Sequence, residues 1–176
     1  DAMRNCQKQS GMQILSGNLI DDKGQRLLDN QGLPYVVKNI GGVRIGVFAL
    51  SGSDFVRLVK PTNLPTGARF LDPIPVAKEI VTALREKEQV AAVIFIGHQD
   101  RESDFAMAQA VPGIDVILGT HSHYKGAFAQ IPGTQTYFIS PYQYLTYLSH
   151  IELSFHAGKL AGVTGKLVRM DSQLPQ

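Results

Sequence analysis

Cysteine is nearly absent from this sequence. Cys6 is the one thiol among 176 residues, so no intramolecular disulfide can form and no thiolate zinc cluster can be built. No apolar run comes near the ~20 residues that a membrane-spanning helix requires. Strong charge of either sign is also missing: 17 Lys and Arg against 15 Asp and Glu leave a net charge of +2. No basic run exceeds two residues, so the pattern predicts no nucleic-acid partner and no membrane span. Neither G-x-x-x-x-G-K-[ST] nor G-x-G-x-x-G occurs, which removes the phosphate-cradling loops of P-loop and dinucleotide folds. There is no G-x-S-x-G elbow either, so a triad built on Ser51 or Ser53 with His98 has no supporting turn. What remains is 44% hydrophobic, enough for one domain with a core. The chain opens at Asp1 without an initiator methionine, and the expectation is that the natural N-terminus lies elsewhere.

Two apolar runs stand out because each ends in histidine. Val90–Ile96 leads to Gly97, His98, Gln99 and Asp100; Ile114–Leu118 leads to Gly119, Thr120, His121, Ser122 and His123. Runs of this length and composition read as buried strands of a largely parallel sheet. In open α/β sheets ligands sit outside the carboxyl ends of strands, so His98, His121 and His123 are the candidate metal ligands. If the chain stays extended, His121 and His123, two apart, point the same way. His150 and His156 lie in a strand pattern and beside a turn, and are read as solvent-facing or packing residues. Asp100 and Glu102 are read as caps of the following helix rather than as groups that orient an imidazole.

The rest of the chain follows from its punctuation. Met12–Asn18 reads as a strand leading into a Ser-Gly-Asn turn, and Asp21–Gly32 as an excursion. Pro34–Ile40 and Val43–Leu50 form a hairpin about Gly41-Gly42. Phe55–Leu71 is irregular and long, with a structural or partner-contact role ranked above a catalytic one. Asp72 and Pro73 open a helix running to about Lys87. Glu102–Ala110 is a second helix between the two histidine-bearing strands, completing a βαβ unit. Thr136–Ser140, Thr146–Phe155 and Val163–Met170 read as strands of a second, antiparallel sheet with a turn at Ala157-Gly158. The fold class is α/β, or α+β when the final strands are counted.

The segments SGN (Ser16–Asn18), VRIGVFAL (Val43–Leu50), DPIPVAKEIVTALREK (Asp72–Lys87), VIFIGH (Val93–His98) and IDVILGTHSHY (Ile114–Tyr124) together resemble the calcineurin-like metallophosphoesterases, in their 5′-nucleotidase and 2′,3′-cyclic phosphodiesterase branch. The resemblance runs on through Tyr137–Phe155. It implies a place within a four-layer αββα sandwich, with residues 1–170 as the C-terminal portion of the catalytic domain. It also implies that 171–176 form a linker toward a further domain. His98 and His121 then correspond to ligands of the second metal and His123 to a ligand of the first, with two divalent ions (zinc, manganese, iron or similar) as cofactors.

The family's D-x-H, G-D-x-x-D and G-N-H-[DE] segments are not in this sequence, and the Ser140-Pro141-Tyr142 loop lacks its usual glycines. The resemblance therefore implies hydrolysis of a small phosphate ester such as a nucleotide by the complete protein, and little or no activity from this chain alone. A missing N-terminal segment or a partner chain is expected to cover an open sheet edge. A periplasmic or extracellular location is implied by the resemblance only. Two other readings remain open: a non-catalytic binding module on the same fold, and a mononuclear zinc hydrolase using all three histidines.

Overall fold

The computed structural model describes residues 2–171, so the linker expected at 171–176 lies, from 172 onward, outside the described residues. A short helix, α1 (Ala2–Ser10), precedes β1 (Ser16–Ile20), whose five residues are all buried. The Ser-Gly-Asn segment is thus strand rather than turn. The reason is Asn18, fully buried, whose Nδ2 donates to the carbonyls of Ser51 (2.8 Å) and Leu71 (3.0 Å). Its Oδ1 accepts from the Ser51 amide at 3.0 Å. One amide side chain therefore joins three segments distant in sequence. The excursion after β1 contains a short strand, β2 (Arg26–Leu28), antiparallel to β1. Asp21 Oδ1 closes the intervening turn by accepting from the amides of Lys23 and Gln25.

The expected hairpin is present as β3 (Tyr35–Ile40) and β4 (Val43–Ser51), with Ile40 opposite Val43. Gly41 and Gly42 turn at φ 59° and 83°, a conformation that a side chain at either position would strain. The segment that looked irregular holds α2 (Phe55–Leu58), a single 3₁₀ turn at Pro61–Asn63 and β5 (Arg69–Phe70), which pairs with β1. Asp72 caps α3 (Pro73–Thr82) by accepting from the Ile74 amide, and Pro73 at the first position forfeits no helical bond. The helix widens into a π-helical turn over Ala83–Lys87.

β6 (Ala92–His98), α4 (Arg101–Ala110) and β7 (Val116–Gly119) form the expected βαβ unit. Asp100 caps α4 through the Ser103 amide at 2.7 Å, as read from the sequence. Two later strands are arranged differently from the expectation. β8 (Lys125–Gln130) was not legible as a strand, and β9 (Tyr137–Pro141) runs parallel to β7 in the main sheet instead of joining a second one. Only β10 (Tyr147–His156) and β11 (Lys159–Arg169) form a separate antiparallel ribbon, turning at Ala157-Gly158. The apolar stretch of β8 is only Ala127–Ala129, too short to mark a strand; β9 follows it into the sheet because its central residues are buried.

The six-stranded sheet has the order β3-β4-β6-β7-β9-β8. One face carries Phe48, Leu50, Val93, Phe95, Ile117 and Phe138, packed against Val76, Ile80 and Leu84 of the α3 segment and Met107 of α4. The β10–β11 ribbon packs against β8 and β9. Among the described residues no helix is long and apolar enough to cross a membrane. Replacing Asn18 by Ala removes the hydrogen bonds it makes to two part-buried carbonyls and one amide. The expected cost is about 2–4 kcal/mol of folding stability, read from urea unfolding; a loss below ~0.5 kcal/mol would show that β1 is held by burial alone.

Candidate metal centre

Strand parity sets the site. In β6, Val93 and Phe95 belong to the helix-packed core, so Gly97 follows them on that face and His98 emerges on the other. Gly97 is in parallel register with Gly119 of β7, which places Thr120 beside His98. The two glycines are required here: a Cβ on Gly97 would stand 2.6 Å from Asp104 Oδ1, and one on Gly119 2.5 Å from the Phe138 ring. Side chains at either place would push the strand ends off the layer beneath.

Beyond Gly119 the chain does not stay extended. His121 and His123 adopt φ 42° and 52°, the left-handed region, within a turn. The alternation expected for the H-x-H element is therefore not what arranges it, because the turn aims its two rings at different neighbours. His121 comes to His98, with ring centroids 4.8 Å apart and His121 Nδ1 3.1 Å from His98 Nε2. His123 instead places its ring 5.9 Å from that of Tyr144, on a loop where Tyr142, Tyr144 and Leu145 all have positive φ. His150 lies 3.4 Å from Glu152, away from this group.

Three further residues complete the surroundings, and none was singled out from sequence. Thr120 Oγ1 donates its hydrogen to the Gly97 carbonyl at 2.7 Å, so toward His98 Nδ1, 3.2 Å away, it can only accept. That fixes the proton of His98 on Nδ1 and leaves Nε2 bare. On the far side of the other ring, Asp54 Oδ2 lies 3.0 Å from His121 Nε2. Phe55 sets its ring against both imidazoles, at centroid distances of 5.1 Å to His98 and 5.6 Å to His121. Thr120 was legible in principle from the Gly97–Gly119 register. Asp54 and Phe55 come from a segment folded over the strand ends and had no spacing signal. The segment ranked as structural thus supplies one wall of the site.

Desolvation, then the neighbouring His121, holds the pKa of His98 below its ordinary value of 6.5, which keeps its ring neutral near pH 7. Two imidazole nitrogens 3.1 Å apart suit a shared divalent ion: with bonds of about 2.0–2.1 Å, two donors on one ion stand about 3.0–3.4 Å apart. Among the described residues no group of three or more His, Cys, Asp or Glu is assembled to hold an ion unaided. The pair fits as part of a ligand set.

Beneath the strand ends Asp104 is 1% exposed and Gln99 likewise. Gln99 Nε2 donates to Asp104 Oδ1 at 3.0 Å, while Asp104 Oδ2 has no hydrogen-bond partner among the described residues. Burial pushes the Asp104 carboxyl up to about 7. Because the folded value exceeds the ordinary 3.8, the native state holds its proton longer than the unfolded one, and stability falls as pH rises from about 4 to about 7. Asp104→Asn lacks this dependence. Between pH 5 and pH 8 native protein should lose about 2–3 kcal/mol more than the variant in urea unfolding; parallel pH profiles would show Asp104 ionised throughout.

No protein-family model matches the chain. Among curated proteins it is 31% identical over 90 residues to the trifunctional nucleotide phosphoesterase YfkN of Bacillus subtilis, covering 51% of this chain and 6% of that protein. It is 26% identical over 197 residues to the 5′-nucleotidase of Vibrio parahaemolyticus, covering 96% of this chain and 34% of that protein. Among solved structures, the 5′-nucleotidase precursor of Thermus thermophilus superposes with a TM-score of 0.76 at 24% identity, over 93% of this chain and 34% of that one. That last likeness is one of fold. The chain spans about a third or less of the length of each of these proteins.

Proposed function

We propose that this chain, a member of the 5′-nucleotidase and calcineurin-like phosphoesterase family, supplies the histidine half of a two-metal site that hydrolyses phosphate esters. The observation that carries the reading is the 3.1 Å approach of His98 Nε2 and His121 Nδ1 at adjoining strand ends. Oriented by Thr120 and Asp54, these two rings would hold one divalent ion, and His123, on the same turn, would serve the other. Divalent ions, when bound, supply Lewis-acid activation of water and neutralise charge on the phosphoryl group. The chain's own residues do the rest of what is visible here. The glycines bring the strand ends close, Phe55 packs on one side of the rings, and the neutral His98 keeps a lone pair available.

Carboxylate ligands would come from segments corresponding to those that the family carries upstream, so the chain's share of the site is incomplete by charge as well as by number. Three imidazoles bring no negative charge to offset two dications. Nucleotides are the substrate class we propose, since the names of the similar proteins specify nucleotide phosphoesterase and nucleotidase activity. The mononuclear three-histidine arrangement is not favoured, because His123 turns to Tyr144 rather than to the other two rings.

In the full-length protein, His121→Ala should reduce hydrolysis of a nucleoside monophosphate at least about 100-fold. It should also lower bound metal from two ions per chain to one, counted by inductively coupled plasma mass spectrometry. Undiminished turnover with an unchanged metal count would refute the assignment.

A further inference from the structure

We infer that Asp54 is a positioning residue for the histidine pair: it holds the His121 ring so that Nδ1, and not Nε2, is the atom offered to a divalent cation such as zinc. This rests on the metal-binding reading of His98 and His121 above. The carboxylate sits 3.0 Å from His121 Nε2, while Nδ1 of the same ring faces His98 Nε2 at 3.1 Å. Asp54 therefore lies on the opposite edge of the imidazole from the point where the two rings converge. It acts through the ring, as the carboxylate that faces Nε2, and is not placed as a ligand of the same ion.

The placement of this carboxylate is fixed by the sheet rather than left to a loose loop. Ser51 ends β4 in parallel register with His98, and the Gly52 amide donates to the His98 carbonyl at 3.0 Å. The Phe55 amide returns to the Gly52 carbonyl at 3.1 Å, and the amides of Arg57 and Leu58 bond the Asp54 carbonyl. Asp54 is thus held in a turn anchored on the backbone of the histidine whose partner it orients. Gly52 is part of the device: a Cβ there would lie 2.7 Å from Asp54 Oδ1 and 2.7 Å from Gln99 Cβ, so only glycine lets the carboxylate lie back against the site. Phe55, the next residue, packs on both rings and limits their tilt.

The two histidines are oriented by different means and in opposite senses. Thr120 lies against Nδ1 of His98 and leaves Nε2 toward the pair; Asp54 lies against Nε2 of His121 and leaves Nδ1 toward the pair. A half-turn of the His121 ring about its Cβ–Cγ bond would move both nitrogens away from the Asp54 carboxylate, 3.0 Å from Nε2, and from His98, 3.1 Å from Nδ1. Anionic acceptors of this kind fix the tautomer and raise ligand basicity, and removing one typically costs about 10–100-fold in metal affinity.

The test is long-range ¹H–¹⁵N correlation of the histidine rings in zinc-loaded full-length protein, paired with zinc titration calorimetry. Native protein should show His121 coordinated through Nδ1 with the hydrogen on Nε2. Asp54→Ala should weaken zinc about 10–100-fold and mix the two nitrogen assignments, while Asp54→Asn, which keeps an acceptor oxygen, should restore the Nδ1 assignment with a smaller loss of affinity. Thermal unfolding of the metal-free variants checks that they fold. Coordination of native His121 through Nε2, or zinc affinity and assignments unchanged in Asp54→Ala, would overturn the inference while leaving metal binding by the pair intact. Zinc bound as expected without phosphate-ester hydrolysis would overturn the functional reading and leave this inference standing. Absence of zinc binding by the native protein would overturn both.

Discussion

The parallel pairing of Gly97 with Gly119 is the constraint on which the rest of this structure depends. Because neither residue has a side chain, the ends of β6 and β7 can settle onto Phe138 and the Asp104 carboxyl beneath them. The register then delivers His98 to one side of the sheet and Thr120 beside it, and the turn that follows swings His121 into contact. A bulkier residue at either glycine would shift the strand ends by the few tenths of an ångström that separate a shared ion from two unrelated imidazoles. The chemistry proposed for the site is in this sense a packing property of the layer below it.

That layer carries a cost. Asp104 and Gln99 are buried polar side chains with a single hydrogen bond between them, an arrangement that an apolar core would not tolerate without loss of stability. Their position directly under the site rim accounts for why the fold accepts it: the carboxyl fills the space left by two glycines whose own side chains would block the strand ends. Above the rim, Asp54, Phe55 and Thr120 surround the imidazoles with an anion, an aromatic wall and a hydroxyl acceptor. The site is thus determined from both sides of the strand ends before any ligand enters.

Much of this was legible in the residues because it depends on local rules. The Gly41-Gly42 hairpin, the Asp72-Pro73 helix start, the Asp100 cap and the two buried strands ending in histidine each follow from turn chemistry, capping or a continuous apolar run. What sequence reasoning missed depends on long-range geometry. Asn18 reads as a turn residue until its bonds to Ser51 and Leu71 are seen. β8 has too few apolar residues to announce a strand. The H-x-H element reads as extended, whereas positive φ at both histidines separates their directions. Asp54 joins the site only because the segment after β4 folds back over the strand ends.

The most direct test of the central claim is a crystal structure of the full-length protein with zinc, phased near the metal's absorption edge. The account predicts an anomalous peak about 2.0–2.1 Å from both His98 Nε2 and His121 Nδ1. A protein that takes up zinc with no peak between those two nitrogens, or with the ion bound by only one of them, would contradict it.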